Sequence, residues 1–110
     1  MAGLQKYSVV ESGNLGLGQA GSILVTGTNE VTCKNGVFVA ITFLEDTVFD
    51  NAGLTSVDNT KYINDTVNST DISTANGDTI DTETFPKGVT IYGRWTAFML
   101  DSGKVIAYRG

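Results

Sequence analysis

The sequence predicts an all-β protein, built as a small antiparallel β-sandwich or a barrel-like domain. Helical periodicity is nearly absent, since no window keeps apolar residues at positions i, i+3, i+4 and i+7. The chain contains 13 Gly and many Thr and Val, and β-branched side chains favour pleated strands over helices. Short apolar runs alternate with turn-forming residues, as expected for a sheet of short strands.

The first third of the chain predicts short strands at residues 6–11, 22–26 and 31–33, with a Gly-rich loop at residues 15–21. Within that loop, Gly16, Gly18 and Gly21 match the spacing of a dinucleotide-binding fingerprint. That site requires a helix after the loop, whereas here a strand follows, so no nucleotide site is indicated.

Asn35-Gly36 is a strong hairpin signal, because both residue types tolerate positive φ. The following run, VFVAITFL at residues 37–44, is apolar on both faces of the predicted strand. It therefore predicts a central strand that is covered on both sides, either inside a sandwich or at a subunit interface.

Residues 50–84 have a different character, with many Asn, Asp, Thr and Ser and few apolar residues. Because a structureless loop of this length is unusual in a compact domain, we expect an extended polar excursion with one or two short strands, or a helical turn near residues 62–67. Asn64-Asp65-Thr66 and Asn68-Ser69-Thr70 match the N-glycosylation string, but nothing in the sequence indicates a secreted eukaryotic protein.

The last segment predicts a hairpin at about residues 88–109, preceded by a turn around the one proline, Pro86. Asp101-Ser102-Gly103 forms its loop. Alternation along its first strand assigns Trp95 to the core and places Tyr92, Arg94 and Phe98 on the other face. Tyr and Arg are typical anchors of protein contacts. The candidate protein-interface residues are therefore Tyr92, Arg94, Phe98 and Arg109, the arginines being placed to pair with acidic neighbours.

The composition describes one domain, residues 1–110, with a formal charge of −5 from 7 basic and 12 acidic residues. Acidic residues dominate residues 45–83, a surface that repels phosphate backbones, so no nucleic-acid partner is expected. No apolar run approaches the length of a membrane helix, and the amino-terminal residues lack the pattern of a signal peptide. We therefore expect no membrane partner.

Residues that would perform catalysis are scarce. The chain contains no His, and Cys33, its one cysteine, is expected to be structural because no imidazole can activate it. We therefore predict no enzyme activity, no catalytic or cofactor-binding residues, no metal site and no cofactor. The alternative kept open is a calcium- or carbohydrate-binding module centred on Asp78, Asp81 and Glu83, since clustered carboxylates suit hard cations.

FPKGVTIYGRWTAF at residues 85–98 and SGKVIAY at residues 102–108 resemble the carboxyl-terminal end of small virion proteins of tailed bacteriophages, marine ones in particular. ITFLEDTVF at residues 41–49 resembles an upstream piece of the same proteins. The resemblance carries no functional residues that transfer one by one.

The resemblance implies a head decoration, or cement, protein that binds the outside of the major capsid protein shell and stabilises it. It also implies a β-rich fold, a homotrimer, synthesis in the host cytoplasm and a final location on the capsid surface. The alternative within the same resemblance is a tail, neck or fibre-associated virion protein.

Overall fold

The computed structural model describes residues 19–67 and 71–110 and confirms the all-β, antiparallel class. The described strands form one seven-stranded sheet that is not closed into a barrel. They are β1 (Ser22–Val25), β2 (Val31–Thr32), β3 (Phe38–Phe43), β4 (Thr47–Ser56), β5 (Thr84–Phe85), β6 (Thr90–Ser102) and β7 (Val105–Arg109). The predicted strand at residues 6–11 and the Gly-rich loop up to residue 18 lie outside the described residues.

Strand β6 joins two halves of the sheet, because it is long enough to pair with different neighbours at its two ends. Its first half pairs with β3, which in turn pairs with β7 and then β1. Its second half pairs with β4 on one side and with β2 on the other. Residues from both halves belong to one hydrophobic cluster. The sheet therefore curls around a single core in a sandwich-like arrangement.

The face that β6 turns toward this core changes along the strand. Trp95, Phe98 and Leu100 are all at most 1% exposed, although a regular strand would point Trp95 and Phe98 to opposite faces. The change occurs between Trp95 and Phe98, where β6 carries one residue more than β4: Thr55 lies opposite Ala97 and Ser56 lies opposite Trp95, so Thr96 is the extra residue. Such a bulge interrupts the alternation of side chains. Further along, extra residues of β4 between Phe49 and Leu54 form a second irregularity that bends the sheet.

Aromatic side chains fill the core where the two halves meet. Phe43 and Phe85 stack with ring centroids 4.9 Å apart, and Phe49 meets both rings edge-on at 6.0 and 5.5 Å. Trp95 is fully buried, as predicted, and its indole N–H donates a hydrogen bond to the Ile63 carbonyl at 2.8 Å. The excursion is therefore fastened to the core at this point.

The predicted carboxyl-terminal hairpin is wrong in its pairing. The two strands and the tight turn at Gly103 (φ +100°) are present. However, β7 pairs with β1 and β3, and β6 pairs with β2, β3 and β4, so the two strands do not pair with each other. Strand β3 lies between β7 and the first half of β6, because the curl of the sheet separates neighbours in sequence.

The Asn35-Gly36 hairpin is also wrong, although the turn exists and Gly36 has φ +94°. Strands β2 and β3 both run antiparallel to the same edge of β6, one after the other. Residues 34–37 therefore form a loop between two strands that pair, one after the other, with the same edge of β6. The backbone carbonyl of Asn35 is satisfied by the Arg109 guanidinium at 2.8 Å rather than by a hairpin partner.

The polar excursion is shorter than predicted, because residues 50–56 belong to β4. Its helical turn is a 3₁₀ helix at Ile80–Thr82, not near residues 62–67. The buried side chain of Asn64 makes four hydrogen bonds within the excursion. Its amide N–H groups donate to the carbonyls of Asn59 and Tyr62, and its oxygen accepts from both the N–H and the hydroxyl of Thr66. The glycosylation string at Asn64 is therefore a loop-closing motif. The string at residues 68–70 lies outside the described residues.

Candidate functional site

The side of the β1-β7-β3-β6 half that faces away from the core forms a continuous surface, here called the outer face. Strand register defines it, because residues directly opposite each other in antiparallel strands point to the same side. One row crosses the sheet through Ser22, Tyr108, Ala40 and Tyr92. The neighbouring row crosses it through Leu24, Ile106, Thr42 and Thr90. Arg94 completes the face: a Cβ built at Gly93 would meet the buried ring of Trp95, so these two residues point to the core side and Arg94, between them, points to the outer side.

Large apolar and aromatic side chains stand in solvent on the outer face. Tyr92 is 67% exposed and Leu24 is 61% exposed, while Ile106 and Tyr108 are half-buried. Grouped aromatic and aliphatic side chains on a soluble domain are typical of a surface that contacts another protein. The outer face is therefore the best candidate for an interface within the described residues.

The centre of the outer face is packed and its polar groups are paired. Ala40 is fully buried between the two tyrosine positions of its row. Beside it, the hydroxyls of Thr42 and Thr90 share a hydrogen bond of 2.8 Å across the strands. The rows through Ala40 and Thr42 keep their pairing with both β6 and β7, and a register shift follows between Ala40 and Phe38. The backbone at the centre of the face is therefore fixed by hydrogen bonds on both sides of β3.

Arg94 gives the outer face its charge. Its side chain is exposed, and with respect to every residue described it makes neither a hydrogen bond nor an ion pair. The two ion pairs seen in the described residues join Lys61 to Asp58 and Lys104 to Glu45. The residues of the outer face include no carboxylate, although the chain has 12 acidic residues. The face is therefore locally cationic on an acidic protein.

The structure brings together only part of the predicted interface set. Tyr92 and Arg94 share the outer face. Phe98 is 1% exposed and packs edge-on against Phe38 in the core, with ring centroids 5.3 Å apart, so its assignment to an exposed face is wrong. The reason is the change of core-facing side along β6.

Arg109 is exposed but lies apart from this face. Its Nε donates to the carbonyl of Ala20 at 2.9 Å and its Nη1 donates to that of Asn35 at 2.8 Å. The predicted pairing of Arg94 and Arg109 with acidic residues is not found among the described residues. Arg109 therefore ties two loops to the last strand and serves the fold.

Sequence reasoning missed Leu24, Ile106 and Tyr108 as parts of the same face. Alternation along residues 22–25 and 105–109 carries the signal, since Leu24, Ile106 and Tyr108 occupy outward positions once Val25, Val105 and Ala107 are known to be buried. The order of the strands places these residues beside Tyr92, and alternation within a single strand does not predict that order.

A shallow groove of about 270 Å³ lies beside Arg109 and is lined in part by Ile23, Cys33, Lys34 and Phe38. The Cys33 thiol is half-buried and contacts the Asn35 carbonyl at 3.6 Å. The charged side chains among the described lining residues are the cations Lys34 and Arg109, and no carboxylate or imidazole is among them. The groove therefore offers no general base to the thiol.

The acidic excursion does not assemble a metal centre within the described part of the chain. Asp78 accepts a hydrogen bond from the Thr79 N–H, and Asp81 accepts one from the Thr79 hydroxyl. Among residues 19–67 and 71–110, no three acidic, Cys or His side chains are grouped so as to hold a metal ion. These two carboxylates cap local turns, and Asp78 also lines a cavity of about 190 Å³ that is open to solvent and is formed by residues within 60–67 and 72–80.

Hydrogen bonds also set the one clear pKa shift of the excursion. The Thr60 hydroxyl and backbone N–H both donate to the carboxylate of Asp58, at 2.7 and 2.9 Å. These bonds, together with the attraction of Lys61, lower the pKa of Asp58 below its usual 3.8. The shift belongs to an exposed turn, so it reports loop geometry rather than catalysis.

Comparison with protein-family models, with curated protein sequences and with solved structures finds no match to this chain. Within the described residues, no helix is both long and apolar enough to cross a membrane. The case for function therefore rests on the residues themselves and on the geometry of the outer face.

Proposed function

We propose that this protein is a non-enzymatic structural component of a tailed-bacteriophage virion, and that it acts as a capsid decoration protein. In this role it binds the outside of the major capsid protein shell as a homotrimer and stabilises that shell. The observation that carries the proposal is the outer face, a sheet surface with exposed Tyr92 and Leu24 opposite the core. The resemblance of residues 41–49, 85–98 and 102–108 to phage virion proteins supplies the biological setting.

Several properties of the chain support a structural role over a chemical one. The sequence has no His, and Asp78 and Asp81 accept hydrogen bonds from Thr79 within one turn. Strand β3 is apolar on its core side and underlies the outer face on its other side, which suits a domain that packs against a neighbour. The calcium-binding alternative is not favoured by any arrangement of the described acidic residues.

Mass spectrometry of purified particles of the source phage tests the proposal directly. The protein is quantified against the major capsid protein, and a copy number on the scale of the capsid protein is expected. A count of only a few copies would place the protein in the tail or neck instead. Absence from the particles would refute the structural role altogether.

Two further measurements test the decoration role and the trimer. Particles carrying the protein should withstand heat better than particles stripped of it, because binding that favours the intact shell stabilises it. Light scattering of the purified protein should report three chains per assembly. Equal heat resistance with and without the protein would contradict a cement function, and a monomer at all concentrations would contradict the trimer.

A further inference from the structure

We propose that the outer face recognises an acidic segment of its partner, with Arg94 as the residue that pairs with a carboxylate and Tyr92 as the apolar anchor beside it. This inference rests on the proposed function, because the partner is the capsid shell. It goes further by naming the chemistry of the contact: a partner segment with at least one Asp or Glu next to an aliphatic or aromatic side chain.

The first argument is the state of Arg94. Its guanidinium is exposed and meets no acceptor in any described residue, while Arg109 is committed to two backbone carbonyls. Arginine presents donors in a planar fork that fits a carboxylate with two parallel hydrogen bonds. The guanidinium of Arg94 is therefore available to accept such a partner.

The second argument is charge complementarity. The chain carries a formal charge of −5, yet the residues of the outer face include one cation and no carboxylate. An acidic partner segment would be repelled by most of the protein and attracted to this face. The same property argues against two copies packed outer face to outer face, because neither copy would offer a carboxylate to the other's Arg94.

The third argument is the apolar surround of Arg94. Tyr92 lies two residues away on the same strand and is 67% exposed, and Tyr108 and Ile106 lie across β3 in register with Tyr92 and Thr90. A charged contact next to aromatic and aliphatic surface becomes partly desolvated on binding, which strengthens it. The face therefore fits a segment that carries both a carboxylate and an apolar side chain.

The test measures binding of the purified protein to particles stripped of it, at about 50 mM and about 500 mM NaCl, where screening lengths differ severalfold. Arg94→Glu is compared with Lys61→Glu, which makes the same change of charge on the excursion. Loss of an interface arginine commonly costs more than 1 kcal/mol, so Arg94→Glu should weaken binding roughly tenfold at low salt. Lys61→Glu should bind like the wild type. Arg94→Lys should lie between wild type and Arg94→Glu, since an ammonium keeps the charge and loses the fork.

Salt should weaken binding of the wild type and strengthen binding of Arg94→Glu, because screening relieves the repulsion between the new carboxylate and the acidic segment. Circular dichroism should show that all variants fold. If Arg94→Glu binds as the wild type does, the acidic-segment contact is refuted while the decoration role stands. If the wild type itself does not bind the particles, both proposals fall. If Arg94→Glu no longer self-associates but still binds the particles as the wild type does, Arg94 contacts a second copy of this chain and not the shell. That result would overturn the inference.

Discussion

Replacing Trp95 by Phe tests whether the excursion is fastened to the core by the indole N–H. The ring stays aromatic and buried, but the 2.8 Å hydrogen bond to the Ile63 carbonyl is lost. A hydrogen bond of this kind contributes about 1 kcal/mol net. Shrinking a fully buried side chain adds about 1–2 kcal/mol for lost contacts and incomplete filling of the space. The expected decrease in the free energy of unfolding is therefore about 2–3 kcal/mol.

Urea titration followed by far-ultraviolet circular dichroism measures this change without relying on tryptophan fluorescence. For a domain of this size the melting temperature should fall by roughly 10 °C. Hydrogen exchange supplies the local test: amides of residues 57–67 should exchange faster in Trp95→Phe, while those of β3 and β7 should change only with global stability. Trp95→Ala should cost about 4–6 kcal/mol, close to the whole stability of a small domain.

A decrease below about 0.5 kcal/mol in Trp95→Phe, within the range of ordinary surface substitutions, would refute the reasoning. So would a large decrease with unchanged exchange in residues 57–67. In that second case the ring would stabilise the core without holding the excursion, and the contact with Ile63 would carry no energy of its own.

The remaining predictions concern single loops. Asn64→Ala should lower the free energy of unfolding by about 2–4 kcal/mol in urea titrations, since a buried amide with four hydrogen bonds is removed, and wild-type stability would contradict this. Gly103→Ala should lower the free energy of unfolding by about 2 kcal/mol or more, because φ is +100° and the new methyl group meets a buried threonine hydroxyl. Gly27→Ala is the control: its methyl group meets open space, and the change should stay within about 0.5 kcal/mol. Equal effects of the two substitutions would refute the steric argument. In an NMR titration the pKa of Asp58 should lie below 3.8 and should rise in Thr60→Val; an unchanged pKa in that variant would contradict the hydrogen-bond cause. The contribution of Asp58 to stability should be complete above pH 3.8 and should be lost as the pH falls through the lowered pKa.

Local patterns predicted most of the strands, for physical reasons. The structure places β1, β2 and β3 within the predicted strands at residues 22–26, 31–33 and 37–44. These strands could be predicted because alternation and β-branched residues favour a strand through interactions among near neighbours in sequence. The same holds for Gly88 and Gly103, whose positive φ follows from turn chemistry. The buried state of Trp95 likewise followed from its size and its place on an apolar strand face.

Strand partners were beyond local reasoning. Asn35-Gly36 favours a hairpin when its flanking strands have no better partner, but here both β2 and β3 find the edge of β6. Phe98 was misassigned for a related reason: regular alternation places it opposite Trp95, and the extra residue of β6 between Trp95 and Ala97 overrides that alternation. The outer face depends on strand order, so only Tyr92 and Arg94 could be assigned to it in advance.

The pairing pattern described for β6 and β7 has a consequence for how the chain folds. Among the described strands, none of β1, β2, β3 and β4 pairs with another of that group, and their partners all lie at residue 84 or later. A nascent chain that has emerged only to residue 89 can therefore form no ladder among the described strands except the short one between β4 and β5. Long loops must close before these contacts form, which slows folding. Until β6 emerges, the apolar run of β3 remains an unpaired strand, a period in which a holding chaperone would protect the chain from aggregation.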